Sequence, residues 1–378
     1  MPCASMRRGR AAAVLPPGRA VVVHAGTRDG SGAGRRALCL RSLGPKRGTR
    51  AVQCDYKSTK ASHIVVGTRG SELARRQAQE VVNALKKVER DLGAELLALS
   101  TRGDRHKDVK SMASLGQGAF TEDIDEALLS GECDIAVHSM KDYPLDGAAG
   151  VEIVACLPRA DPTDALVLPS GSAPVQHLRE LPPGTRVGTS SDRRRHQLLW
   201  ANPAVEVVPA RGSIQKRLEM LESGETDALI VASAALHRLG LTLEAYKLPV
   251  REMIPGGGQG AIGIAIRADD DRMRELVARI DHAATRIAVI AERAFLSPVY
   301  RPLTGMGFAA HARVTDSGKV RLIGAVGDSG AVGMYTTEAS GPATEEGAVA
   351  AGEEAAEQLT ELLHGFLDTM EQDYPDFS

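Results

Sequence analysis

Apolar positions along this chain fall in short runs, and each run ends in the same kind of corner. His63–Val66 leads into Gly67-Thr68-Arg69-Gly70-Ser71, and a segment of helical period follows from Glu72 to Val88. Glu95–Leu99 leads into Ser100-Thr101-Arg102-Gly103-Asp104, and Asp134–Val137 into His138-Ser139-Met140-Lys141-Asp142. The pattern returns at Arg186–Gly188, Val205–Val208 and Ala228–Val231, followed by helical stretches Asp192–Trp200, Ile214–Ser223 and Ala234–Leu239. Strands alternating with helices predict βαβ units and a mostly parallel sheet. A glycine-rich crossing segment, Gly256-Gly257-Gly258-Gln259-Gly260, leads into the apolar run Ala261–Arg267. From Ile280 onward the order changes to a helix (Arg286–Leu296), two or three strands and a long helix (Glu345–Gln372), which predicts a separate α+β domain. The polar stretch Arg105–Gly118 reads as a mobile loop.

The corners carry one chemistry. Small hydroxyl or glycine residues sit beside a cation where a helix begins, and free backbone N–H groups with the positive end of the helix dipole favour anions there. In open α/β sheets the ligand crevice lies at the carboxyl ends of the strands. These corners supply Arg69, Lys141, Arg193 with Arg194, and Arg211 with Arg217, and Arg238 follows on the next helix. Arginine suits bidentate capture of carboxylate. The pattern predicts a cleft between two α/β domains that binds a ligand bearing many carboxylates or phosphates. The competing reading spends these arginines on ion pairs with the chain's abundant acids. Asp142 stands alone among the cations. Either it stabilises a cation formed in a reaction or moves a proton, or it is a turn residue paired with Lys141.

The chain has 378 residues, 43% of them apolar and 25% charged, enough for two or three domains with real cores. Aromatic residues make up only 3%, which argues against a base-stacking nucleic-acid platform. No run approaches the 18 apolar residues of a membrane span. The net charge of −2 hides an asymmetry: residues 1–54 hold eleven of the 46 basic side chains and one of the 48 acids. The remainder is acidic at −12, so basic clusters within it call for a local reason. Residues 1–58, rich in Arg, Ala and Gly, read as a disordered organellar transit peptide. Of the five cysteines, Cys3, Cys39 and Cys54 lie in or beside that segment, while Cys133 and Cys156 read as small core residues. Neither a disulfide framework nor a metal site is expected.

The four motifs Gly67-Thr68-Arg69-Gly70-Ser71-Glu72-Leu73-Ala74, Asp134–Asp142, Val187-Gly188-Thr189-Ser190-Ser191 with Arg193-Arg194, and Gly258-Gln259-Gly260-Ala261 resemble the porphobilinogen deaminase (hydroxymethylbilane synthase) family in sequence, order and spacing from about residue 61 to 296. The resemblance implies two periplasmic-binding-protein-like, doubly wound α/β domains (59–161 with 259–278, and 162–258) and a small α+β third domain (279–378). It implies a monomeric transferase of tetrapyrrole biosynthesis that deaminates four porphobilinogen molecules and joins them into linear hydroxymethylbilane, with a dipyrromethane cofactor and neither nucleic-acid nor membrane partners. It implies Asp142 with Lys141 as catalytic residues. Arg69, Ser71, Ser139, Lys141, Thr189, Ser191, Arg193, Arg194, Arg211, Gly212, Arg217 and Gln259 would hold cofactor or substrate carboxylates, under a loop spanning Asp104–Gly118. With the leading segment it implies the plastid stroma, ahead of a mitochondrion, as destination. One departure stands out. The family anchors its cofactor by a thioether to a cysteine shortly after a Glu-Arg-Ala-Phe-Leu helix end. Here Glu292-Arg293-Ala294-Phe295-Leu296 is followed by residues 297–308, which contain no cysteine, so the attachment point is unknown. Two accounts fit: a misread exon junction across 297–308, or a silent paralogue that binds polypyrroles or other polycarboxylates without covalent priming.

Overall fold

The computed structural model describes residues 12–14, 63–105, 118–300, 306–327 and 333–373, with side chains for 63–105, 118–300, 306–327 and 333–363. The expected transit peptide (apart from the backbone of 12–14), residues 106–117 of the expected loop and residues 301–305 of the cysteine-free segment lie outside them. The element order is β1 (Ala12–Val14), β2 (His63–Arg69), α1 (Glu72–Val88), β3 (Gly93–Leu99), α2 (Arg102–Arg105), α3 (Glu122–Ser130), β4 (Ile135–Ser139), β5 (Val151–Cys156), β6 (Asp164–Val167), β7 (Arg186–Gly188) and α4 (Asp192–Ala201). It continues with β8 (Glu206–Val208), α5 (Ile214–Glu222), β9 (Ala228–Ala232), α6 (Ser233–Leu239), β10 (Ala245–Lys247), β11 (Ile262–Arg267), α7 (Asp271–Ala278), α8 (Ala283–Tyr300), β12 (Gly307–Val314), β13 (Lys319–Gly327), β14 (Met334–Pro342) and α9 (Glu345–Asp373).

Two five-stranded sheets, each with helices on both faces, carry the first two thirds of the described chain. The first has the order β3-β2-β4-β11-β5 and the second β10-β6-β9-β7-β8. Alternation along β2 shows the double winding. Ile64 and Val66 pack with Val81, Val82 and Leu85 of α1, while Val65 faces Ile124 and Leu128 of α3. In the second sheet Val187 and Ile230 pack with Leu198 of α4, and Leu229 and Val231 face Leu221 and Leu236 of α5 and α6. The third unit is an antiparallel sheet, β1-β14-β13-β12, covered by α8 and α9 around the fully buried Phe295. The fold class is the expected one: two doubly wound α/β layers and a small α+β unit.

The expectation of mostly parallel sheets needs correction. β2 runs parallel to β3 and β4, and β7 runs parallel to β8 and β9. β11, however, lies antiparallel between β4 and β5, and β6 lies antiparallel between β9 and β10. β6 and β11 follow the two crossings between the sheets. The crossings run side by side: Leu157 N–H donates to Ile262 O (3.1 Å) and Ala160 N–H to Gly260 O (3.2 Å). A chain that leaves one sheet and returns as an antiparallel strand makes each sheet mixed.

Candidate active site

The carboxyl ends of β2 and β4 face those of β7 and β9 across the crossings. Leu73, Gln77, Ser139, Lys141, Arg238 and Gln259 are among the residues lining a cleft there. The glycines of the crossing permit this closeness. Gly258 has φ +73°, and a Cβ on it would lie 2.6 Å from Met140 C and 2.8 Å from Lys141 N. Gly260 has φ +84°, and a Cβ there would lie 2.5 Å from Ala160 O.

Each expected site residue has a definite place. Ser71 caps α1, its Oγ accepting from Ala74 N–H at 3.3 Å. Ser139 ends β4 and exchanges two hydrogen bonds with Gln77 of α1: Gln77 Nε2 donates to its Oγ (2.8 Å), which donates to Gln77 Oε1 (3.0 Å). Lys141 and Asp142 follow in the open turn, both solvent-accessible, and Asp142 N–H donates to Ser139 O at 2.9 Å. The Asp142 carboxylate favours the charged form of Lys141; although the side chain reaches solvent, the protein packed around it and the Arg194 and Arg217 guanidiniums outweigh that effect, and the ammonium pKa falls below its ordinary value. Thr189 is buried after β7, its Oγ1 accepting from Ser191 N–H at 3.3 Å, and Ser191 begins α4. Arg211 is exposed beside Gly212, whose φ is +93°. Arg217 Nε donates to Gly212 O at 3.2 Å, and burial together with Arg194 lowers its pKa to about 10.

Arg193 and Arg194 are held from within the fold. Both side chains are buried on Asp164, the first residue of β6. Arg193 Nη1 donates to Oδ2 at 2.7 Å, and Arg194 Nε and Nη2 donate to Oδ1 at 3.0 and 2.8 Å. Gln259 Nε2 adds a further bond to Oδ1 at 3.0 Å. Burial pushes the Asp164 carboxyl up, but the two guanidiniums hold it far below the usual carboxylate range. Arg69 is likewise occupied. Its Nη2 and Nε meet Asp104 Oδ1 and Oδ2 at 2.5 and 3.1 Å, and its guanidinium lies 4.1 Å from the centre of the Phe120 ring. Arg238 Nε donates to Glu80 Oε1 at 3.1 Å, joining α6 to α1. The ion-pair reading of these arginines and the cleft reading therefore both describe part of the molecule.

The sequence pattern had not marked Gln77, Asp164 or Glu292. Gln77 could have been found as a polar residue on the apolar face of α1, beside Ala78 and Val81. Asp164 and Glu292 gave no such local signal. Glu292 is fully buried where the three units meet. It accepts from Arg159 Nη1 (2.6 Å) and Nη2 (3.1 Å), Gly258 N–H (2.7 Å) and Ala312 N–H (2.7 Å). Its neighbour Arg293 donates to the carbonyls of Tyr143, Pro144 and Leu145, so α8 grips the backbone just beyond Asp142.

The cleft coincides with a known pattern. The family model of porphobilinogen deaminase, dipyromethane cofactor binding domain, matches residues 64–275, which include every strand-end corner described above. The chain belongs to the porphobilinogen deaminase family. A chloroplastic porphobilinogen deaminase of Oryza sativa subsp. japonica is 38% identical over 344 residues, covering 89% of this chain and 93% of its own. The porphobilinogen deaminase of Moorella thermoacetica is 44% identical over 302 residues, covering 78% of this chain and 92% of its own.

The family's cofactor fits this chain in one respect and not in another. Cations at the strand ends suit the acid side chains of a dipyrromethane. No suitable thiol stands among the described residues. Cys133 and Cys156 are both buried in the first unit, where burial pushes their thiols up to about 11 and about 12. At neutral pH neither supplies the thiolate that is the reactive form. Residues 297–308 contain no cysteine. Covalent attachment there does not fit, and no step below runs through the cofactor.

Proposed function

We propose that this chain deaminates porphobilinogen and condenses four molecules of it into linear hydroxymethylbilane, as a transferase of tetrapyrrole biosynthesis. The observation that carries the reading is that the family match spans the cleft lined by Ser139, Lys141, Arg238 and Gln259, with Asp142 next in the chain after Lys141. Each porphobilinogen brings an acetate and a propionate, and the cations at the strand ends would hold them by charge-assisted bonds. Loss of ammonia leaves a positive charge shared with the pyrrole nitrogen. The Asp142 carboxylate, in the open turn after β4, would stabilise that charge and take up a proton as the next carbon–carbon bond forms. Lys141, Ser139, Thr189, Ser191, Gly212, Arg211 and Arg217 are proposed to position the carboxylates. Arg69 would join them once released from Asp104. Arg193, Arg194 and Gln259 would act through the frame they build on Asp164. A single chain would be the working unit; the chloroplastic relative supports a plastid, and the stroma is our proposed compartment within it.

The test is direct. The purified chain, incubated with porphobilinogen, should release ammonia and form a product that closes to a uroporphyrinogen. A folded chain that binds porphobilinogen but releases no ammonia would instead support the silent, polycarboxylate-binding paralogue.

A further inference from the structure

Arg69, Arg193, Arg194 and Arg238 are held by carboxylates of two kinds. Asp164 is 0% exposed and takes four donated hydrogen bonds, so it can leave neither Arg193 nor Arg194 without stranding a charge in a dry interior. Asp104 on Arg69 and Glu80 on Arg238 differ, being 24% and 43% exposed. Asp104 also accepts from Thr101 Oγ1 (2.8 Å) and Thr101 N–H (3.2 Å), so it keeps two partners if Arg69 turns away. Glu80 can return to water. Arg238 keeps its bond to Gly260 O at 3.1 Å and already lines the cleft. Exchanging one carboxylate for another at either guanidinium leaves the charge balance unchanged.

We propose that Asp104 and Glu80 are exchangeable placeholders, internal carboxylates that occupy Arg69 and Arg238 until carboxylates of the ligand displace them, and that they thereby lower the affinity of the cleft for pyrrole acids. The inference rests on the functional reading above and assigns the two residues a specificity role within it. A carboxylate of the ligand meets a cation already desolvated and oriented, and the placeholder sets the threshold it must exceed. A ligand with one carboxylate can displace one placeholder, and a chain of pyrroles can displace both.

Asp104→Asn and Glu80→Gln should each lower KM for porphobilinogen, by about two- to fivefold, the range that partly exposed ion pairs span. Calorimetric titration with uroporphyrin I, which carries eight carboxylates, should show tighter binding to the same extent, and the double variant should add the two effects. Glu152→Gln removes a surface pair with Arg274 outside the cleft and serves as the control for bulk charge, with no change expected. Unchanged or raised KM and weakened titration would show that the two acids merely orient the arginines, and would overturn the proposal. Equal tightening in Glu152→Gln would overturn it as well. If Asp104→Asn does not fold, Glu80→Gln decides alone, because its side chain is half exposed. Failure of the unsubstituted chain to release ammonia or bind uroporphyrin would sink the functional reading itself, whereas normal turnover with insensitive variants sinks only this one.

Discussion

The corner after β4 and the corner after β7 are written in the same terms: a strand end, small polar residues, cations. They fold into opposite things. The first stays open, with Lys141 and Asp142 accessible in a turn that Arg293 grips just beyond them. The second is closed, because Asp164 arrives from the crossing and takes both Arg193 and Arg194. A strand-end cation is thus free for a ligand only where no strand from elsewhere brings an acid to it. That is a property of the topology, invisible in the corner's own residues.

The largest effect should come from breaking the closed corner. Asp164→Ala leaves two buried guanidiniums without their counter-charge, and removing one partner of a buried pair costs about 3–5 kcal/mol. Denaturant titration should show that loss, and a variant within about 1 kcal/mol of the parent would mean the corner is open after all. Breaking the open corner should spare stability and strike turnover. Asp142→Ala is expected to lower kcat by about 10²–10³ with little change in the denaturation midpoint, as when one well-placed electrostatic group is removed. Near-normal turnover would remove Asp142 from the chemistry. The smallest effect sharpens the contrast through pH. Burial pushes the Asp104 carboxyl up, but Arg69 and Thr101 hold it below its usual 3.8. A depressed carboxyl contributes stability that is present above about pH 4 and lost as pH falls through the folded value. Asp104→Asn should therefore lose about 0.5–1 kcal/mol at neutral pH, and the gap to the parent should close on acidification. A gap independent of pH would show that the Arg69 pair contributes nothing.

The strand-end grammar made the α/β class legible from sequence and marked the corner whose Lys141 lines the cleft, because both depend on residues adjacent in the chain. What was not legible depends on distance. β6 is four residues, Asp164–Val167, all buried, and so shows no alternation and begins with an acid. β10 has only three residues, and α7 is polar enough to pass for a loop. Of these, β6 is the strand that makes the second sheet mixed and delivers Asp164 to its arginines. The partners Glu80 and Arg238 are 158 residues apart, and Glu292 and Arg159 are 133 apart, so no local pattern could join them.

Glu292 has a mechanical consequence. One carboxylate without access to water ties α8 to Arg159 on one crossing, to Gly258 on the other and to β12. Any opening of the cleft has to leave those four bonds in place, since each bond lost would strand a charge or a buried N–H. A motion of the two sheets that keeps these bonds has its smallest displacement at this point, as jaws turn about a rivet, and its largest at the lips of the cleft.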